Sequence, residues 1–499
     1  LLRDIFIYDK SSDRGPVVNL HYLRSSRRDP DVPFRLKLKC SKRIVELVCV
    51  KVLRVIPGKR MVCFAQWNDR SVVAKIFLAS SGAGRHCARE VRGVRALEKN
   101  GIKTPSLLCR GTLLSSCIPV LVFQRIDPSQ NFSEVWKQQK KGDFRSCLLL
   151  RVVKVIAAQH ATGLKQDDLH FGNFLLSGHT VYTIDGDAVD VRQIGKALGQ
   201  KRSLENLALF LAQLNPRFDN LIPEAFQVYA EDRRFPSANG LYEQLVKKIR
   251  IHRHRRKKAY LRKIYRECSA FMCRKDWNRF MVCNREEYDQ TMDRFLSDPD
   301  PLIDSSRLLK DGNSSTVALV KIGRQCLVVK RYNIKSLQHA LKRCLRPSRA
   351  SVSWRNAHRL DFMGISTPKP IAFLEKRWGI FRTTAYFITE YVEGVDACHL
   401  IRAERRGDIP IQSVVKRFVK LLGLFAEAMI SHGDFKAANF IVSGDKLFVI
   451  DLDGMRKHSF RWRFRKAFKR DCERLMKNWT DLPELDKMFC DQIQKLKRL

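Results

Sequence analysis

Two short phrases of this sequence are nearly identical and lie 263 residues apart: Gly101-Ile102-Lys103-Thr104-Pro105 and Gly364-Ile365-Ser366-Thr367-Pro368. Each follows an amphipathic helical pattern, 89–100 and 354–363, that a glycine ends. Strand signals precede both. Residues 43–78 alternate apolar and polar positions around turns at Pro57-Gly58 and Asn68-Asp69, which predicts an antiparallel sheet of three strands. The corresponding strands later in the chain are 316–321 and 326–331, after a turn at Asp311-Gly312-Asn313. A strand at 118–123 and a helix at 148–160 continue the first copy. Sheet first and helices after is an α+β order, and its recurrence predicts a duplicated architecture. The expected units are 1–250 and 301–499. The stretch between them, 251–300, reads as a basic helical linker: helix runs over 246–295, and Asp298-Pro299-Asp300-Pro301 closes it.

A second repeat carries chemistry. Asp434 is followed five positions later by Asn439, and 17 positions later, after an apolar strand, by Asp451. Asp168, Asn173 and Asp185 repeat both spacings. Phosphoryl transfer needs a carboxylate to orient or accept the proton of the attacking hydroxyl, which suits Asp168 and Asp434. It also needs oxygen ligands for magnesium, which suits Asn173 with Asp185 and Asn439 with Asp451. Lys436 can meet the transferred phosphate. Asp187 and Asp453 either assist the metal or cap a turn. Upstream, a nucleotide site needs a lysine on a strand to neutralise the α- and β-phosphates, and Lys75 in Val-Val-Ala-Lys and Lys330 in Leu-Val-Val-Lys sit inside apolar strands, where a lysine is unusual without a purpose. Gly58 and Gly312 are the nearest equivalents of a phosphate-binding glycine loop.

These motifs, with the Arg89-Glu90 helix and the Gly-Ile-x-Thr-Pro phrases, resemble the bacterial lipopolysaccharide core kinases, the Kdo and heptose kinase branch of the protein-kinase-like fold, in two tandem copies. The resemblance implies two bilobal domains, each a small antiparallel sheet lobe followed by a compact helical lobe. It implies ATP and Mg2+ as cofactors, and Glu90 as the helix glutamate that pairs with Lys75. The chain departs from the pattern in both copies. No Asp or Glu occurs between Lys330 and Asp361, so Ser353 or Asn356 stands where the second glutamate is expected. Gln166-Asp167 replaces His-Gly before Asp168.

Charge narrows the partner. Lys and Arg number 94 against 51 Asp and Glu, a formal charge of +43, so a polyanion is expected. The basic segments 247–263, beside Tyr260, and 456–470, interleaved with Phe460, Trp462, Phe464 and Phe468, resemble surfaces for anionic lipid. The 48 residues after Asp451 suit a compact helical lobe, and no Ala-Pro-Glu follows either metal loop. Both favour a small or glycolipid acceptor over a protein. The expectation is an ATP-dependent kinase acting on a heptose or Kdo sugar of the lipopolysaccharide inner core. Its expected location is cytoplasmic and peripheral, on the inner face of the cytoplasmic membrane; no nucleic acid partner is expected. The alternatives are a pseudokinase that binds or scaffolds the glycolipid, and a small-molecule phosphotransferase of the aminoglycoside or choline kinase type. The fifteen cysteines suggest neither a disulfide framework nor a zinc ribbon, and Cys268, Cys273 and Cys283 read as structural cysteines on helices. No stretch approaches the ~20 apolar residues of a membrane span, and residues 1–30 are too charged for a signal peptide.

Overall fold

The computed structural model describes all residues except 1–14, 26–29, 42, 115, 140–141, 236–239, 334–345, 380, 404–409 and 498–499. The chain divides into two compact units, 1–214 with 218–253, and 215–217 with 254–499. Both mix helix and sheet.

In the first unit, the strands Arg43–Ile56, Arg60–Trp67 and Arg70–Phe77 form the expected antiparallel meander. They belong to a closed six-stranded barrel that also contains Phe34–Cys40, Pro119–Gln124 and Leu107–Leu113. Closure comes from Phe34–Cys40, which pairs with Arg43–Ile56 on one side and Leu107–Leu113 on the other. Its period-two burial of Phe34, Leu36 and Leu38 fills the barrel with Leu47, Met61, Ala74 and Val120. The helix Ala83–Lys99 packs outside the barrel, on Phe77, Leu121 and Phe123. The helices Gly142–Ala161, Gln200–Leu211 and Ile222–Asp232 share a separate core centred on Phe132, Phe174, Phe210 and Tyr229. Each such buried aromatic contributes about 1.5–3 kcal/mol.

The second unit has a seven-stranded antiparallel sheet in the order Phe271–Lys275, Arg279–Asn284, Pro370–Trp378, Phe381–Glu390, Gln325–Tyr332, Ser315–Ile322 and Arg307–Lys310. The helix Arg349–Phe362 lies on it through Trp354, which meets Phe373 at 5.6 Å between ring centroids. Phe418, Phe425, Phe435, Phe440 and Trp479 fill the helical half.

The expected linker, 251–300, is corrected by this sheet. Its helix, Leu241–Lys263, ends early, and the next two elements are strands that extend the sheet through Pro370–Trp378. The apolar run Phe280 to Cys283 is strand-sized, and pairing between Phe271–Lys275 and Pro370–Trp378 puts it inside the sheet, where Met281, Val282 and Cys283 are buried. The Asp298-Pro301 breaker also lies inside this unit. Asp300 accepts hydrogen bonds from Tyr386 Oη at 2.7 Å and Lys376 Nζ at 2.7 Å, which stitches the turn to the sheet. Cys273 and Cys283 therefore lie on strands, not helices. Cys40 and Cys109 are joined by a disulfide, which their spacing did not suggest. No helix among the described residues is long and apolar enough to cross a membrane.

Candidate functional site

In the strand Arg70–Phe77, alternation turns Val72, Ala74 and Ile76 into the barrel. Lys75 is thereby left on the outer face, beneath the helix Ala83–Lys99. Its Nζ lies 2.6 Å from Glu90 Oε2 and 2.7 Å from Asp185 Oδ1. Glu90 is only 2% exposed, and its two oxygens also accept the amides of Gly186 at 3.1 Å and Asp187 at 3.0 Å. One carboxylate thus fixes both the amine and the loop after Asp185. The approach is close enough to require glycine: a Cβ on Gly93 would lie 2.0 Å from Gly186 O.

Arg60, just past the Pro57-Gly58 turn, stands 3.5 Å from Asp185. Burial works to raise the Asp185 carboxyl, but Lys75 and Arg60 outweigh it and hold it at about 2. Asp185 has φ 71°, a left-handed conformation that costs a residue with a Cβ about 1–2 kcal/mol. Asp187 is engaged by the helix, by Arg89 Nε at 2.7 Å and His86 Nδ1 at 2.9 Å.

Asn173 donates Nδ2 to Asp168 O at 2.9 Å, while its Oδ1 is buried without a hydrogen-bond partner. The amide of Ile184 donates to Asn173 O at 2.8 Å, tying this loop to the strand end that carries Asp185. The Asp168 side chain is 85% exposed, with His170 at 3.9 Å. Gln166 takes up the structural work that the missing histidine would do: its Nε2 donates to Ile184 O at 2.9 Å.

The second unit repeats the frame with different fastenings. Lys330 Nζ lies 2.5 Å from Asp451 Oδ1 and 5.1 Å from the centre of the Tyr332 ring. Ser353, aligned with Glu90 by distance from the helix-ending glycine, does not reach the lysine; its hydroxyl meets Tyr332 Oη at 2.9 Å. Asn356, aligned with Gly93, donates to Leu452 O and Met455 O, both at 2.9 Å. Asp453 is held by Arg349 Nε at 2.6 Å. Burial would raise Asp451, but Lys330 keeps its carboxyl below the ordinary range. Asp451 is also left-handed, at φ 58°.

Asn439 donates Nδ2 to Asp434 O at 2.8 Å and to Asp434 Oδ2 at 3.0 Å. The Asp434 carboxylate is also met by Arg474 Nη1 at 3.1 Å and Lys436 Nζ at 3.3 Å. His432 Nε2 bonds Ile450 O at 3.0 Å, as Gln166 does for Ile184.

Sequence reasoning missed the residues that support these loops from behind. Asp471, 2% exposed, accepts the amides of His432 at 2.6 Å and Gly433 at 2.9 Å; burial pushes its carboxyl up despite those bonds. Asn206 occupies the matching place in the first unit, with the bond reversed, donating to Gln166 O at 2.8 Å. Seven residues on from each, Asn478 and Gln213 accept the amides of Ala437 at 3.4 Å and Phe171 at 3.1 Å. The shared spacing of 7, 206 to 213 and 471 to 478, was the signal available.

Of the aromatics in the 456–470 segment, Phe460 and Trp462 are exposed, and Arg463 lies 5.4 and 4.9 Å from their ring centres. Phe464 is buried and Phe468 packs on the core. Tyr260 is likewise turned inward, to His358 Nδ1 at 2.8 Å.

Comparison with solved structures finds kinases over part of the chain. A structure titled WaaP in complex with acyl carrier protein matches at 19% identity over 40% of this chain and 88% of that one, with TM-score 0.30. A rhoptry kinase from Toxoplasma gondii matches at 13% over 44% and 85%, TM-score 0.30. The PknI kinase domain of Mycobacterium tuberculosis matches at 12% over 40% and 95%, TM-score 0.28. No curated protein matches the chain in sequence. Residues 304–495 match the model of the lipopolysaccharide kinase (Kdo/WaaP) family. That segment contains Lys330, Asp434, Asn439 and Asp451, and it is similar in sequence to the lipopolysaccharide kinases of that family.

Proposed function

We propose that both units are kinase domains and that the protein phosphorylates a heptose or Kdo hydroxyl of the lipopolysaccharide inner core. The observation that carries the extension to the first unit is the Lys75–Glu90–Asp185 cluster, whose lysine–aspartate pair recurs as Lys330–Asp451. In this reading Asp168 and Asp434 accept the proton of the sugar hydroxyl. Lys75 and Lys330 neutralise the α- and β-phosphates of ATP, with Glu90 holding Lys75 in line, and Lys436 meets the transferred group. Asn173 with Asp185, and Asn439 with Asp451, are the residues that would hold Mg2+, which when bound neutralises charge on the phosphates. Their fit has a physical sign: Asn173 spends its amide nitrogen on Asp168 and keeps a buried oxygen with no partner. A hard cation takes such an oxygen readily.

The basic face of the helix Arg461–Met476, with exposed Trp462, supports a peripheral position on an anionic membrane surface, where the phosphates of the core glycolipid would meet cations. A second reading, a glycolipid-binding scaffold, is favoured in the second unit by the missing glutamate and by the tie of Asp434 to Arg474.

The test is transfer of label from radioactive ATP, with Mg2+, to dephosphorylated core lipopolysaccharide, by the full chain and by Asp168→Ala and Asp434→Ala. Loss in one variant identifies the working unit, and reduction in both means two working sites. Nucleotide binding without transfer to any acceptor would favour the scaffold.

A further inference from the structure

A second cluster of charge in the second unit takes no part in the lysine site. The bond from Tyr260 to His358 fixes the end of the helix Leu241–Lys263 against the helix Arg349–Phe362. Lys257 lies one turn before Tyr260 on the same face, and Arg359 follows His358. Asn356, a turn before Arg359, bonds Met455 O and so brings up the short strand Arg456–Lys457, which pairs with Ile430–Ser431. Lys257, Arg359 and Lys457 thus converge from three elements, with exposed His254 beside them.

Among the described residues, no carboxylate pairs with any of the three. Arg359 is 8% exposed, gives one bond to Asn356 Oδ1 at 2.5 Å, and keeps a buried Nε without a partner. Lys257 is half-buried, and burial together with Lys457 and Arg359 draws its ammonium down to about 8. Lys457 is exposed, and holding the buried Arg359 and half-buried Lys257 near it with no counter-ion costs stability. A protein that keeps them together carries a place prepared for an anion. Arg359 supplies a guanidinium N–H in fixed geometry, while Lys257 and Lys457 supply mobile point charges, a combination suited to phosphate oxygens. The burial of Arg359 selects a compact group over an extended polyanion, which would reach only the exposed side chains.

We propose that Lys257, Arg359 and Lys457 form a phosphate-binding site distinct from the site around Lys330 and Asp434. This inference does not depend on the kinase reading. The phosphate is either free or part of a lipid headgroup.

The experiment is thermal unfolding of the full chain in sodium phosphate and in sodium chloride at matched ionic strength, with Lys257→Met and Lys457→Gln alongside. Phosphate is expected to raise the midpoint beyond chloride, and each variant to weaken the apparent phosphate affinity about tenfold or more. Without phosphate, Lys257→Met should unfold no earlier than the parent, because a like-charge repulsion is gone. A midpoint that follows ionic strength alone overturns the site, as does a phosphate effect undiminished in both variants, which would put the anion elsewhere. Vesicles of phosphatidylglycerol, compared with phosphatidylcholine, then assign the source. Anionic vesicles that compete with phosphate in the parent and not in the variants identify a lipid headgroup; lack of competition keeps the site and identifies a free phosphate.

Discussion

In the first unit Lys75 lies between two carboxylates in direct contact, Glu90 and Asp185, whereas in the second Lys330 touches Asp451 alone, with Asp453 farther off at 3.9 Å and the face of Tyr332 beside it. The loop after the aspartate is anchored with opposite polarity. Glu90 accepts two loop amides, while Asn356 donates to two loop carbonyls. The spacing between helix and loop follows from this choice. Gly93 permits direct backbone contact in the first unit, and at the same position of the second a side chain fills the gap. The loss of the glutamate is therefore not a simple deletion. The anchoring work has moved to Asn356, and Ser353 now secures Tyr332. What has not been replaced is a second carboxylate in hydrogen-bond contact with the lysine, since Asp453 stands 3.9 Å away.

Glu90→Ala should separate the two designs most sharply. It leaves a buried ammonium with one carboxylate instead of two and orphans two loop amides, at a cost of about 3–5 kcal/mol, read as a lower urea midpoint and faster hydrogen exchange at Gly186 and Asp187. A cost under about 1 kcal/mol would mean that Glu90 does no more than a surface residue.

Acid should destabilise both units, the second the more because burial also holds its His432 below the ordinary range. His160 is buried and held down to about 4, and His358 to about 3. Their unfolded forms gain a proton near 6.5 while the folded forms do not, so stability is full above 6.5 and falls as pH drops toward 4. A loss on the order of 3 kcal/mol from each of these two histidines is expected at about 1.4 kcal/mol per pKa unit, visible as urea midpoints across that range. If only one unit responds, the comparison must be redrawn around that histidine.

Asn356→Ala should cost about 1–3 kcal/mol by orphaning Leu452 O and Met455 O. Its signature is a lower affinity for nucleotide in the second unit, since the loop holding Asp451 loosens. The smallest effect should come from Arg349→Gln. The side chain is one-third exposed, so its loss should change stability by under ~1 kcal/mol; a larger change would give Arg349 part of the missing glutamate's role.

The local parts of this arrangement were readable in the sequence. The spacings of 5 and 17, the glycine-ended helices and the strand lysines are all set within a few tens of residues. Gly101 and Gly364 do adopt left-handed conformations, at φ 72° and 73°, as helix-ending glycines should. The closing strand Phe34–Cys40 has a period-two pattern, but its partner across the closure, Leu107–Leu113, is about seventy residues away. Arg279–Asn284 is a strand where a helix is expected, because a short apolar run inside a basic stretch is ambiguous between the two. Asp471 was out of reach: it sits among Arg470, Cys472 and Glu473 in a helix that reads as a charged surface, and only burial sets it apart. Its partners, His432 and Gly433, are nearly forty residues away.

The left-handed backbone at Asp185 and Asp451 has a consequence for how this chain can change. Glycine would adopt either conformation without the steric cost that aspartate bears, so backbone energy alone pulls both positions toward a residue that cannot coordinate anything. Under the proposed function the two pressures oppose each other there. With Lys75→Met and Lys330→Met, so that neither glycine leaves an ammonium unpaired, a library selected for folding should enrich glycine at 185 and 451, and one selected for turnover with both lysines kept should purge it. These two positions are where the two selections should diverge most, and a unit that tolerated glycine in both would be one whose chemistry had already lapsed.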